Sequence, residues 1–287
     1  MPPDRRGYQR GMSDPVVRLR RLVRGGRSDA PGRVVDVLGR VGLVGYGLVH
    51  VLVAWLGLQL AFRVPEAPAD AGGAVGTVAR TDGGFAVLVL TAVGLVSFAL
   101  WQVVAAAVGF RWVSGGERVR KRAGAVSKSV AITALAVLIV EFLTGVRGTG
   151  GDSSVRGLAA TVLGLPAGRL LLGALAATVV GIAVAMVYTG VQRTFLGDLD
   201  LSRVPPLLRR AISALGVWGH LARAIALGTV GVLIGLAALS GDPQRAGGID
   251  AALRTVAGTA PVPLALVAGG FAAFGLFCLA DAATRRA

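Results

Sequence analysis

The 287-residue sequence is poor in the groups that do most chemistry in water. It holds one cysteine, Cys278, two histidines and 15 carboxylate side chains. One cysteine excludes an internal disulfide, and no Cys/His group has metal-site spacing. Lysine is nearly missing, since 28 of the 30 basic residues are arginine. Charged residues make up 16% of the chain, against about a quarter in a soluble domain. There is no phosphate loop, no His-Glu-x-x-His zinc motif and no Gly-x-Ser-x-Gly elbow. No catalytic set, metal site or cofactor motif can be assembled, so a non-enzymatic protein is expected. The basic arm at the N-terminus lacks interleaved aromatics, which argues against a nucleic-acid partner.

What the sequence has is apolar length. Hydrophobic residues make up 54% of it. Six apolar segments fall at roughly 34–62, 84–110, 123–146, 167–190, 214–239 and 262–283. About 20 such residues cross the hydrocarbon core as a helix, so six transmembrane helices are expected. Residues 1–33, with nine arginines, read as a disordered basic arm. Lys and Arg alternate across the segments, with twenty in the two termini and the even-numbered connections and six in the others. By the positive-inside rule both termini lie in the cytoplasm of a multi-pass cell-membrane (inner-membrane) protein. The arm and basic loops then face anionic lipid headgroups.

The segments repeat. Gly94, Gly181 and Gly270 are each followed seven residues later by an aromatic: Trp101, Tyr188 and Phe277. Gly39-Arg-Val-Gly42 matches Gly216-Val-Trp-Gly219, and Gly124-Ala-Val-Ser127 is a divergent middle copy. Thr-Val pairs recur at Thr77-Val78, Thr161-Val162 and Thr255-Val256, each in a short amphipathic pattern that predicts a surface helix. The expected fold is all-α and integral to the membrane: three tandem parallel two-helix repeats, each with a short outer-loop helix. Repeat 1 covers 34–112, repeat 2 118–192 and repeat 3 208–284. The pattern resembles a family of bacterial, mainly actinobacterial, membrane proteins catalogued as domain of unknown function 1206. The resemblance rests on Gly39, Gly42, Gly45, Gly47 and Gly57, on Gly216, Gly219, Ala222-Arg223, Gly231 and Gly235, and on the aromatic exit positions. It implies three two-helix units with a glycine-rich first helix and brings no activity with it.

Five residues form a candidate intramembrane polar site: Tyr46, His50, Glu141, His220 and Arg223. Gly39, Tyr46, His50 and Gly57 share one helix face. His50 is either a functional group or a neutral histidine bonded to a neighbouring helix. Glu141 is either a proton or cation site or the partner of Arg147 or Arg169. His220 and Arg223 lie three apart on one side. Arg223 can snorkel to the boundary and hold a lipid phosphate, or touch an anionic ligand. Tyr46 and His50 correspond to Arg223 and Leu227 in the third unit, so specific chemistry is expected in such departures from the repeat. Helix packing is assigned to Gly39, Gly42, Gly173, Gly181, Gly231 and Gly235, as small-residue ridges let backbones meet. The reading that follows is a module binding a membrane-protein partner or lipid. A small transporter or channel lined by His50, Glu141 and Arg223 is the alternative.

Overall fold

A computed structural model describes residues 30–62, 69–108, 114–144, 151–258 and 261–285. Most of the basic arm, residues 1–29, lies outside the described residues. Within them the chain forms nine α-helices and no strand. They are α1 (Ala30–Ala61), α2 (Ala71–Ala79), α3 (Gly84–Val108), α4 (Gly115–Leu143), α5 (Gly151–Leu163), α6 (Gly168–Val191), α7 (Pro206–Ser240), α8 (Ile249–Ala257) and α9 (Pro261–Thr284). A long–short–long order therefore occurs three times.

Five of the long helices, α1, α3, α6, α7 and α9, carry windows long and apolar enough to cross a membrane. In α4 the apolar part is the shorter stretch Ile132–Leu143. Helices α4 and α7 begin eight residues earlier than their apolar segments. The extensions carry Arg118 and Arg120, and Arg209 and Arg210. Apolar counting finds the part of a helix suited to lipid, and the backbone stays helical beyond it. Pro206 starts α7 at a position where its missing N–H costs nothing. Gly241, with φ 73°, ends it in the left-handed region that glycine tolerates.

Each short helix is built alike. Thr77, Thr161 and Thr255 each donate a hydroxyl hydrogen bond to the carbonyl four residues back, at 2.8, 2.9 and 2.8 Å. In the first two units the next residue closes the turn into the following long helix. The Val78 carbonyl sits against Gly84, and the Val162 carbonyl against Gly168, where any Cβ would collide. Just before these glycines the backbone is left-handed, at Gly83 (φ 79°) and at Ala167 (φ 59°). Alanine is strained there by about 1 kcal/mol or more. Ala167→Gly is therefore expected to raise unfolding stability by about 0.5–1 kcal/mol. Thermal unfolding of the purified protein checks this, and a lower midpoint would contradict it.

The long helices pack in the order α4, α3, α1, α9, α7, α6. The second helix of each unit lies on the first helix of another: α3 on α4, α6 on α7, α9 on α1. The hairpins α1/α3 and α7/α9 are also packed, whereas among the described residues α4 and α6 share no packed seam. The bundle is thus a ring left open within its middle unit. Exposure agrees, as 17% of the apolar window of α6 is buried, against 44–56% in the other four.

Glycine seams hold the closed part. Gly42 lies against the backbone of Gly94, and Gly47 against that of Gly275. A Cβ on Gly219 would stand 2.7 Å from Cα of Phe274. Gly231 faces Val180, and Gly235 faces Ala176 at ordinary contact distance. The packing assignment is corrected for Gly173 and Gly181, where a Cβ would meet nothing within 4 Å among the described residues; Gly39 has the same open space beside it but is itself buried. On α6 the seam with α7 runs instead through Leu172, Ala176, Val179 and Ala183. Residues 173 and 181 fall on other faces of that helix.

Candidate functional site: an axial cavity under a three-carboxylate clasp

Inside the ring lies a cavity of about 210 Å³ lined by Val49, His50, Val53, Ala71, Leu135, Met186, Arg223, Leu227, Ile249 and Phe271. Seven helices supply the wall: the long helices α1, α4, α6, α7 and α9, with the short helices α2 and α8 at one end. Three lining residues, His50, Leu135 and Leu227, are the same repeat position, counted from Gly39, Gly124 and Gly216. Apolar side chains make most of the wall, and the charged and titratable ones are His50 and Arg223.

Tyr46 and Arg223, at equivalent positions of units one and three, meet directly. The Arg223 Nη2 donates to the Tyr46 hydroxyl at 2.8 Å. The guanidinium lies 4.0 Å from the Phe274 ring centre, a stacked cation–π contact. Arg223 thus turns toward Tyr46 and Phe274 within the bundle. No carboxylate lies within ion-pair distance of it among the described residues. His50 is buried, and its Nδ1 donates to the Tyr46 carbonyl at 2.8 Å. That bond is within α1 and not across to a neighbouring helix. Its ring is held by Tyr46, Phe271 and Phe274, with centroids 4.4, 5.8 and 4.8 Å away.

His220 belongs to the neighbouring aromatic group. Its Nδ1 donates to the Gly216 carbonyl at 2.7 Å, and its ring stacks on Phe195 at 5.0 Å. Phe274 stands between this group and Arg223. Glu141, on α4, is outside the cavity wall, so the five candidates do not form one site. Arg147 lies outside the described residues. Arg169 reaches over Gly241 at the end of α7, and among the described residues no ion pair joins it to Glu141.

Phe271 and Phe274 are components that reasoning from sequence missed. The signal was present as an aromatic stripe, 271, 274 and 277, on one face of α9. Three aspartates were also missed. Asp70 caps α2 through the Gly73 N–H at 2.9 Å and accepts from Gly151 N at the start of α5, at 3.1 Å. Asp152 accepts from Gly248 N at 2.9 Å and Ala251 N at 3.2 Å, at the start of α8. Asp250 accepts from Ala69 N at 2.8 Å, just before α2, and pairs with Arg254 at 2.7 Å. Each unit therefore holds the entry to the next unit's short helix, and the third returns to the first. Helix N-termini favour carboxylates because their first N–H groups have no partner in the helix. The clasp closes the end of the cavity to which Ala71 and Ile249 contribute.

Burial pushes the Asp70 carboxyl above its ordinary value of 3.8; the Gly73 N–H opposes this, and the nearby Asp250 and Asp152 charges add to it. With a raised native value, the unfolded chain ionises first as pH rises from 3.8. Asp70 therefore takes stability away as pH climbs through its native titration, and none below that window. Wild type should lose thermal stability relative to Asp70→Asn over this interval. An unchanged gap between the two melting curves from pH 3.5 to 7 would contradict the assignment.

The apolar helices and their thrice-repeated order define a multi-pass, all-α membrane protein with internal repeats. The chain belongs to the family described as Domain of Unknown Function (DUF1206), whose sequence profile matches residues 41–109, 123–193 and 218–285. These matches fall on α1–α3, α4–α6 and α7–α9. A relative in Bacillus subtilis (strain 168), the uncharacterized protein YxxB, is 27% identical over 244 residues, covering 84% of this chain and 88% of its own. No solved structure matches the chain.

Proposed function

We propose that the protein is a non-enzymatic binding module of the cytoplasmic membrane whose site is the axial cavity. In this reading all six long helices span the bilayer, with α4 crossing through its apolar part and its partly polar first half. The units are parallel repeats about a pseudo-threefold axis, with both termini and the basic loops on the cytoplasmic side against anionic headgroups. The observation that carries the axis is the convergence of His50, Leu135 and Leu227 on one cavity. The departures from the repeat, Tyr46, His50 and Arg223, gather at that axis, where a symmetric scaffold acquires a specific site. Binding is favoured over transport because Glu141 stands off the cavity and, among the described residues, His50 and Arg223 are the polar groups of its wall.

Native mass spectrometry of the purified protein tests this. Wild type should retain a small lipid-like or partner-derived molecule. Leu135→Trp, which fills the cavity, should lose it while still folding. Wild type that carries no such molecule from any membrane extract would sink the binding reading. Proton flux into liposomes above leak level, abolished by His50→Ala, would favour the transporter instead.

A further inference from the structure

We infer that the cavity binds the anionic head of a single-chain amphiphile, a carboxylate or a phosphate monoester, with its acyl chain leaving between α4 and α6. The inference rests on the cavity being a binding site and adds the ligand's chemistry. Three observations carry it.

The first is charge. Arg223 has a fixed positive charge, lies midway along the 35-residue α7, and has no carboxylate partner among the described residues. A cation at such depth is costly unless something pairs with it. Tyr46 and the Phe274 ring satisfy part of the guanidinium and fix its direction. Neither neutralises it. A guanidinium has five N–H donors in a planar fork, and one of these bonds is taken by Tyr46. Carboxylate and phosphate oxygens fit that fork.

The second is the surrounding wall. Val49, Val53, Leu135, Met186, Leu227 and Phe271 leave an acyl chain in contact with hydrocarbon from the first methylenes onward. A free inorganic anion would gain nothing from them.

The third is access. The cavity wall formed by Leu135 and Met186 belongs to α4 and α6, which share no packed seam among the described residues. The opening therefore faces laterally, where lipid chains are. At about 210 Å³ the cavity is below the ~300–1,000 Å³ of sites that enclose a drug-sized ligand. It takes a compact head and the start of one chain, and the rest lies in the opening.

The probes are radiolabelled palmitate, hexadecyl phosphate, hexadecanol and hexadecyltrimethylammonium, matched in chain length and bound to the full-length protein in phosphatidylcholine nanodiscs. Wild type should bind palmitate or hexadecyl phosphate at least tenfold more tightly than the alcohol and should exclude the cation. The ratio of the first two distinguishes a fatty-acid source from a phospholipid-derived one. Arg223→Gln should remove the preference for anions, and Arg223→Lys should restore part of it. Leu135→Trp leaves Arg223 in place and should abolish binding of all the chain-bearing probes. Equal binding of palmitate and hexadecanol in wild type, or an anion preference unaltered by Arg223→Gln, would overturn the inference. If Arg223→Gln does not fold, the wild-type ranking and Leu135→Trp decide. A neutral or zwitterionic molecule retained in the cavity would leave the binding reading intact and overturn only the ligand class.

Discussion

Gly47→Leu is expected to abolish the packing of α1 on α9 and leave little folded protein. A Cβ at residue 47 would stand 2.8 Å from the Gly275 carbonyl oxygen and 3.0 Å from Cβ of Cys278. On the facing helix, a Cβ at Gly275 would stand 2.7 Å from the Gly47 carbonyl oxygen and 2.6 Å from Val51. The obstacle on both sides is backbone, which cannot turn away as a side chain can. The helices must separate, and every contact along the seam weakens together. In a packed core, overpacking alone costs about 1–3 kcal/mol. Lost contact along the α1–α9 seam adds to that, for a total of about 3 kcal/mol or more. Gly39→Ala, Gly173→Ala and Gly181→Ala meet no neighbour among the described residues and should stay within about 1 kcal/mol of wild type, with helix propensity on their side. Folded yield and thermal midpoint of the purified variants separate the two groups. Equal behaviour of Gly47→Leu and Gly173→Ala would contradict the packing described here.

Asp250→Ala should be the most damaging single change outside the apolar helices. Asp250 is buried and accepts from the Ala69 N–H while pairing with Arg254. Its loss strands a buried N–H and leaves a cation without its partner. A buried donor left unsatisfied costs about 1–3 kcal/mol, so a loss of about 2–3 kcal/mol is expected. The effect should spread, because the three aspartates bond in a cycle. Amide exchange is expected to rise in α2 and α8 together, and in α5 through Asp70. Asp250→Asn keeps an acceptor for Ala69 and should cost roughly half as much. Faster exchange confined to α8 would show that the clasp does not act as a unit.

Much of the architecture was legible in the residues themselves. Apolar length located the long helices, and the three Thr-Val pairs located the short ones. Each threonine makes the same local bond, and Val78 and Val162 meet the same kind of turn, so local chemistry left a periodic trace. Tyr46 and Arg223 stood out as charged and polar departures from a repeat, and they do meet. The aspartate clasp left no such trace. Its partners are backbone N–H groups 81 to 181 residues away, and every residue type except proline offers one. The opening of the ring was equally hidden, because apolar periodicity tells which helices suit lipid and not which ones touch. Gly173 and Gly181 misled for a related reason. A small residue permits close approach, but in a membrane helix it is also tolerated where nothing approaches.

The most direct test of the account asks what fills the gap between α4 and α6. A small fluorophore is attached at Met186→Cys in a Cys278→Ala background, in bilayers containing lipids brominated along the acyl chain. Val184, 63% exposed on α6, serves as the outward-facing control. With the ring open to the bilayer, both labels are quenched by brominated chains, neither responds to aqueous iodide, and palmitate shields residue 186 while leaving residue 184 unchanged. A label at 186 that only iodide quenches would make the cavity a water-filled path. One that neither agent reaches would mean that α4 and α6 close the ring.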